Sequence, residues 1–150
     1  MEAQVRYLVD TNVWLERLLD QEKSEVASKF FDLIPTDSLF VSDFSIHSIG
    51  VILSRLKKDD IFEKFINDLF INGGIESLSL DSSDLLDVIS NIKKYNLDFD
   101  DSYQFSVSLK YDLTIITFDK DFNAKGIKKK TPDDIVGKQI TTGHKTQYSQ

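Results

Sequence analysis

Short strands alternate with amphipathic helices along the whole chain, and this alternation constrains the fold more than any other feature. Runs rich in β-branched and aromatic residues predict strands at 5–9, 39–41, 75–80 and 113–117, with a short fifth near Ile127. Apolar residues at helical spacing predict helices over 13–34, 44–56, 60–71, 81–95 and 100–111, and a last turn at 132–136. Because parallel strands need helix-length crossovers, we predict an α/β fold with three layers, α/β/α, and a mostly parallel central sheet.

The chain has the length and composition of one globular domain. It has 150 residues, of which 41% are hydrophobic, and its short connections predict a single domain over 1–137. The polar stretch 138–150 lacks periodicity, so we expect a disordered tail there. The chain has no cysteine, no apolar run of membrane-spanning length and no signal-peptide pattern at its start. We therefore expect a cytoplasmic protein without a membrane span.

The distribution of the acidic residues is more informative than their number. A net charge of −7 disfavours broad electrostatic binding of nucleic acid, which needs lysine and arginine. Asp10 follows the first predicted strand, Asp119 and Asp121 follow the fourth, and Asp101 lies in the first turn of the helix before it. Ligands of an open parallel sheet bind beyond the carboxyl ends of its strands. If the first and fourth strands are neighbours, these carboxylates converge at one edge of the sheet.

Converging carboxylates predict a metal site. Bringing them together costs several kcal/mol of repulsion and desolvation unless a cation lies among them. Oxygen ligands without histidine or cysteine favour Mg²⁺ or Mn²⁺ over zinc, and such an ion is suited to attack on a phosphodiester. Each acid also has an ordinary structural explanation: Asp10 as a turn or helix cap, Asp101 in a helix's first turn, and Asp119 with Asp121 as loop acids.

Two other classes of protein also gather acids at strand ends. A receiver-type phosphoacceptor domain would need an acid pair at the first strand and a lysine after the last, and neither pattern is clear here. A haloacid-dehalogenase-like phosphatase would need Asp-x-Asp after the first strand, whereas residues 10–12 read Asp-Thr-Asn. Both alternatives therefore rank below the metal-dependent nuclease.

Three segments resemble the signatures of one known family. They are YLVDTNV at 7–13, FDDSYQ at 99–104, with Ser102 where alanine is usual, and TIITFDKDF at 114–122. In this order and spacing they resemble the motifs of PIN-domain ribonucleases, and the resemblance covers residues 5–136. Many bacterial and archaeal members are VapC-like toxins of toxin–antitoxin pairs. The resemblance implies a Mg²⁺- or Mn²⁺-dependent endoribonuclease on a three-layer fold, an RNA substrate, a possible antitoxin partner and a homodimer.

The resemblance also assigns roles to individual residues. Matching the motifs position by position makes Asp10, Asp101 and Asp119 the catalytic, metal-binding acids and Asp121 an accessory metal ligand. The polar residues that would orient the carboxylates or water are Thr11 or Asn12, and Thr117.

One family position departs from the pattern. The usual glutamate on the helix after the second strand is replaced by Ser48, with His47 beside it. The site then works with three acids and more waters, or uses His47 as a ligand or proton shuttle, or is weakened. The last possibility gives the alternative function, a catalytically weakened PIN-like module that binds RNA or protein. A lone histidine on a packed helix is more often structural.

Basic residues are the remaining candidates for RNA contact. Lys128, Lys129 and Lys130 follow the loop that carries Asp119, so a bound strand could reach them, although such runs are more often solvated surface. Trp14 is expected in the core or on a dimer surface, with base stacking as an alternative.

Overall fold

Five parallel strands form one sheet in a computed structural model, which describes residues 4–120 and 126–137. The strands lie in the order β3-β2-β1-β4-β5, and every neighbouring pair is parallel. Their bounds are β1 Tyr7–Val9, β2 Leu39–Ser42, β3 Glu76–Leu78, β4 Thr114–Ile116 and β5 Lys129–Lys130. The predicted parallel sheet is confirmed. The predicted tail at 138–150 and Asp121 lie outside the described residues.

The helices connect the strands close to where the apolar spacing predicts them. They are α1 Thr11–Leu18, α2 Ser24–Leu33, α3 Asp43–Arg55, α4 Asp59–Ile66, α5 Asp84–Tyr95 and α6 Phe99–Tyr111. A 3₁₀ turn, Thr36–Ser38, precedes β2, a π-helical turn, Asn67–Ile71, continues α4, and a final helical turn spans 132–137. No helix in the described ranges is long and apolar enough to cross a bilayer.

One local prediction near the first helix is wrong. The single helix predicted over 13–34 is two helices, because the chain turns between them and Asp20 adopts a positive φ of 50°. The helix-cap role considered for Asp10 is confirmed, since its side chain accepts from the backbone N–H of Thr11 at the start of α1. Ser42 caps α3, since its side chain accepts from the N–H of Ser45.

The sheet separates two apolar cores, which confirms the three layers. Side chains alternate between its faces, so Tyr7 and Val9 pack into a first core while Leu8 packs into a second. The first core lies under α1 to α4, and the second lies under α5 and α6. Trp14 is only 1% exposed and stacks on Phe31 at 4.3 Å between ring centroids, so it is a core residue.

The sheet changes its winding direction between β1 and β4. From central β1 the chain proceeds outward through β2 to β3, then crosses over to β4 on the other side of β1. Just past the paired residues Val9 and Ile116, the N–H of Asp10 donates to the Ile116 carbonyl at 2.8 Å. The strands predicted to carry the acids are therefore neighbours, and their carboxyl ends open at the topological switch point.

Candidate active site

The carboxylate of Asp10 is buried at the switch point and accepts hydrogen bonds on both oxygens. Its side chain follows β1 directly, and the residue is 7% exposed. Oδ1 accepts from the Thr11 backbone N–H at 2.8 Å and from Gln104 Nε2 at 2.9 Å. Oδ2 accepts from Thr117 Oγ1 at 2.9 Å and from Asn12 Nδ2 at 3.4 Å. The donors come from α1, α6 and the end of β4, so three elements converge on one acid.

Burial raises the pKa of Asp10 above its usual value. The hydrogen bonds from Gln104, Thr117 and Thr11 lower that pKa, and the negative charge of Asp119 raises it again. The protein therefore holds this carboxyl in an environment that disfavours its charge, with a second carboxylate close enough to repel it. A bound cation would relieve both the repulsion and the desolvation.

Thr117 joins Asp10 to the loop that carries Asp119. The Thr117 hydroxyl is fully buried, donates to Asp10, and accepts from Asn12 Nδ2 at 3.1 Å and from the Asp119 N–H at 2.9 Å. Asn12 Oδ1 accepts from the backbone N–H of Phe118 at 3.1 Å. The polar side chains at 12 and 117 therefore lie at the carboxylate, whereas the Thr11 hydroxyl donates to Ser45 Oγ at 2.8 Å.

Asp101 lies in the first turn of α6, one helical turn before the residue that touches Asp10. It is 8% exposed, and its backbone N–H donates to the cap residue Asp98 at 2.9 Å. Positions three apart share a helix face, so Asp101 and Gln104 lie on the side of α6 that approaches the switch point. Within 4–120 and 126–137, no three acidic or histidine side chains lie close enough together, as they stand, to hold a metal ion.

A buried polar chain behind Asp10 was missed by the sequence analysis. Gln104 is 2% exposed, and besides Asp10 its Nε2 donates to Ser45 Oγ at 2.8 Å. Its Oε1 accepts from Ser42 Oγ at 2.6 Å. A signal was available, because Gln104 follows Asp101 by three residues and Ser42 ends the strand beside β1. The contacts themselves depend on how α6 crosses the sheet.

His47 and Ser48 line a groove along α3 that none of Asp10, Asp101 and Asp119 lines. His47 is exposed and Ser48 is half-buried, and the groove of about 410 Å³ also contains Asp43 and Tyr103. Asp43 Oδ1 accepts from the Tyr103 hydroxyl at 2.8 Å. Burial and this hydrogen bond raise the pKa of Tyr103 to about 12. In the described part of the chain, neither His47 nor Ser48 hydrogen-bonds to Asp10.

The three predicted RNA-binding lysines lie at different heights along the sheet. The Lys128 ammonium pairs at 2.9 Å with Asp112, which precedes β4, so it lies at the amino edge. The Lys130 carbonyl accepts from the N–H of Thr117 at 3.0 Å, so Lys130 lies at the carboxyl edge with the acids. Lys129 is half-buried between them. This placement favours Lys130 over Lys128 for contact with a ligand at the acid site.

The fold and the site define an α/β protein with a buried acid at the switch point of a doubly wound parallel sheet. The family profile described as the PIN domain matches residues 7–128. The chain belongs to the PIN domain family, which confirms the resemblance seen in its motifs. No curated protein matches the chain in sequence.

Solved structures share this fold at low sequence identity. A FitAB complex bound to an IR36 DNA fragment is 19% identical with a TM-score of 0.72, covering 84% of this chain and 94% of its own. VapC20 of Mycobacterium tuberculosis, a Sarcin-Ricin loop cleaving toxin, is 16% identical with a TM-score of 0.68, covering 81% and 95%. VapBC2 of Rickettsia felis, bound to a promoter DNA fragment, is 14% identical with a TM-score of 0.66, covering 85% and 98%.

Proposed function

We propose that this protein is a Mg²⁺- or Mn²⁺-dependent endoribonuclease, the toxin of a VapBC-type toxin–antitoxin pair. The observation that carries the proposal is the buried Asp10 carboxylate at the switch point, with the charge of Asp119 against it. The four hydrogen bonds to Asp10 come from uncharged donors, so holding a negative charge on this buried carboxyl beside the charge of Asp119 is costly unless a cation binds there. VapC20, with the same fold, is a toxin that cleaves the Sarcin-Ricin loop, which makes RNA the substrate we favour.

The donor set fits a hard divalent ion. Asp10 and Asp119 would hold it through carboxylate oxygens, with Asp101 as the third acid and Asp121 as an accessory ligand. When bound, the ion would lower the pKa of a water and neutralise charge on the scissile phosphate. Thr117 and Asn12 donate hydrogen bonds to Oδ2 of Asp10 and so restrict its orientation.

Hydrolysis at such a site follows from these roles. A water oxygen adds to phosphorus in line with the departing oxygen, the P–O3′ bond breaks, and the water's proton passes to solvent. The 3′ oxygen leaves and is protonated, so the products carry a 5′-phosphate and a 3′-hydroxyl. The developing negative charge on the phosphate is the charge that a site of this kind must stabilise.

The test is cleavage of single-stranded RNA by the full chain with Mn²⁺ or Mg²⁺. Asp10→Asn and Asp101→Asn should each abolish cleavage, as should removal of the ion with a chelator, while circular dichroism shows the fold retained. Asp112→Asn is the matched control, because this exposed acid pairs with Lys128 at the opposite edge of the sheet. Cleavage by Asp10→Asn at the wild-type rate would refute the assignment.

An antitoxin and a second copy of the chain are the partners we expect. The FitAB and VapBC2 structures, which share this fold, are bound to DNA fragments, and another structure with this fold is a toxin–antitoxin complex from Klebsiella pneumoniae. Co-expression with the product of an adjacent small reading frame should yield a complex that places a basic side chain near Asp10. Light scattering of the purified chain should give a dimer mass; a monomer would contradict the homodimer.

A catalytically weakened binding module is the second candidate. Ser48 stands where the family has its glutamate, and the described acids do not form a group of three. Such a module would bind RNA or protein but would not cleave RNA at any Mn²⁺ concentration. Calorimetric Mn²⁺ titration followed by the cleavage assay separates the two functions.

A further inference from the structure

We propose that Gln104 is a positioning residue that fixes Oδ1 of Asp10 and leaves Oδ2 as the oxygen that binds the metal ion. This inference rests on the proposed function, because it concerns the same acid site. Gln104 touches neither substrate nor reacting atoms in this role; it acts through the orientation of Asp10.

The carboxylate of Asp10 has no unused acceptor position as it stands. An ionised carboxylate offers about four lone pairs, and Asp10 accepts four hydrogen bonds, two on each oxygen. A cation can therefore bind an oxygen of Asp10 only where a hydrogen-bond donor moves away from that oxygen. The donors on Oδ1 and those on Oδ2 differ in how easily they can move.

The donors on Oδ1 are fixed. One is the backbone N–H of Thr11, and the other is an amide whose orientation is determined by its surroundings. The Ser42 hydroxyl donates to Oε1 of Gln104 at 2.6 Å, and Ser45 Oγ accepts the second N–H. If the amide turned over, its oxygen would face the carboxylate of Asp10. Ser42 is itself held, since its oxygen caps α3.

The donors on Oδ2 are exchangeable. Thr117 donates through a hydroxyl that can rotate about its C–O bond, and the Asn12 amide lies at the longer distance of 3.4 Å. Asn12 keeps a second partner in Thr117 Oγ1 at 3.1 Å when it leaves Oδ2. Gln104 therefore decides which oxygen remains available, in the way that outer-shell hydrogen bonds orient metal ligands elsewhere.

The test measures Mn²⁺ affinity of the full chain by titration calorimetry, independently of cleavage. Gln104→Met keeps the length of the side chain and removes both donors, and it should weaken Mn²⁺ binding by roughly 10- to 100-fold. Ser42→Ala removes the hydroxyl that orients the amide and should weaken binding in the same direction by a smaller factor. If thermal unfolding shows that Gln104→Met does not fold, Ser42→Ala becomes the variant that tests the proposal.

The matched control is Ser106→Ala. Ser106 is buried on the same helix, and its hydroxyl accepts from Asn91 Nδ2 at 3.0 Å, away from Asp10. The Mn²⁺ affinity of Ser106→Ala should equal that of the wild type. Loss of affinity in Gln104→Met and Ser42→Ala, but not in Ser106→Ala, supports the positioning role.

The outcomes separate this inference from the proposed function. If the wild type binds Mn²⁺ and Asp10→Asn does not, while Gln104→Met and Ser42→Ala bind like the wild type, the positioning role is overturned and the metal site stands. If Ser106→Ala loses affinity to the same extent, the effect belongs to α6 as a whole and the role is again overturned. If the wild type binds no Mn²⁺, both proposals fail.

Discussion

Replacing Thr117 by valine is the sharpest test of how the site is held together. The two side chains have nearly the same shape, but valine lacks the hydroxyl that donates to Asp10 and accepts from Asn12 and the Asp119 N–H. A hydrogen bond to a charged group contributes about 1.5–3 kcal/mol, and leaving the Asp119 N–H without its partner costs about 1 kcal/mol more. The added methyl group offsets about 1 kcal/mol. We expect Thr117→Val to lower the free energy of unfolding by about 2 kcal/mol.

Urea unfolding followed by circular dichroism measures this loss. With a urea dependence of about 2 kcal/mol per M, the midpoint should fall by about 1 M with an unchanged slope. Thr114→Val makes the same chemical change at the other end of β4 and should shift the midpoint by less than a quarter of that. Equal midpoints for Thr117→Val and the wild type would refute the argument that this hydroxyl holds Asp10.

The loss of stability in Thr117→Val should also depend on pH, and its direction follows from the pKa of Asp10. The pKa of Asp10 is raised in the folded protein, so its ionisation lowers stability as pH rises from the ordinary carboxyl pKa through the raised value. Removing the Thr117 hydroxyl raises that pKa further, because its hydrogen bond favours the charged form. The difference in the free energy of unfolding between Thr117→Val and the wild type should therefore be largest at neutral pH. It should shrink as the pH falls through the range in which carboxyl groups titrate.

Three further predictions concern other parts of the molecule. Trp14→Ala empties a buried position and should cost about 3–5 kcal/mol in urea unfolding; a loss below 1 kcal/mol would contradict its core role. In ultraviolet titration, one tyrosine should ionise near pH 12, and Tyr103→Phe should remove that transition. Lys130→Gln should weaken RNA binding a few-fold in a filter assay whereas Lys128→Gln should not; equal effects would contradict their placement.

The fold was predictable because each layer leaves a local pattern. Strands of a covered parallel sheet produce continuous runs of apolar and β-branched residues such as those at 7–9 and 114–116, and the helices between them keep the apolar spacing of a helix. The break between α1 and α2 was not predictable in this way, since Leu18 and Leu19 continue the apolar spacing up to the turn. The positive φ of Asp20 ends the helix without a glycine or proline to mark it.

The site was predictable only where its residues follow strands directly. Asp10 and Thr117 end adjacent strands, so the prediction that they meet needed only the order of β1 and β4. Gln104 reaches Asp10 from 94 positions away in the chain. Its contact depends on the angle at which α6 crosses the sheet, and neither spacing nor composition encodes that angle. The metal-binding role of the acids and the effect of Ser48 stay predictions for the experiments above.

The sheet separates two cores, and each core contains an aromatic side chain that can serve as an optical probe of unfolding. Trp14 is the only tryptophan, and it lies in the first core, whereas the buried Tyr103 lies in the second. Fluorescence emission from the indole therefore monitors one side of the sheet, and the part of the tyrosine absorbance that Tyr103→Phe removes monitors the other. Coincident melting curves would show that strands of only two to four residues couple both sides into a single cooperative unit. Separate curves would show that one helical layer detaches first.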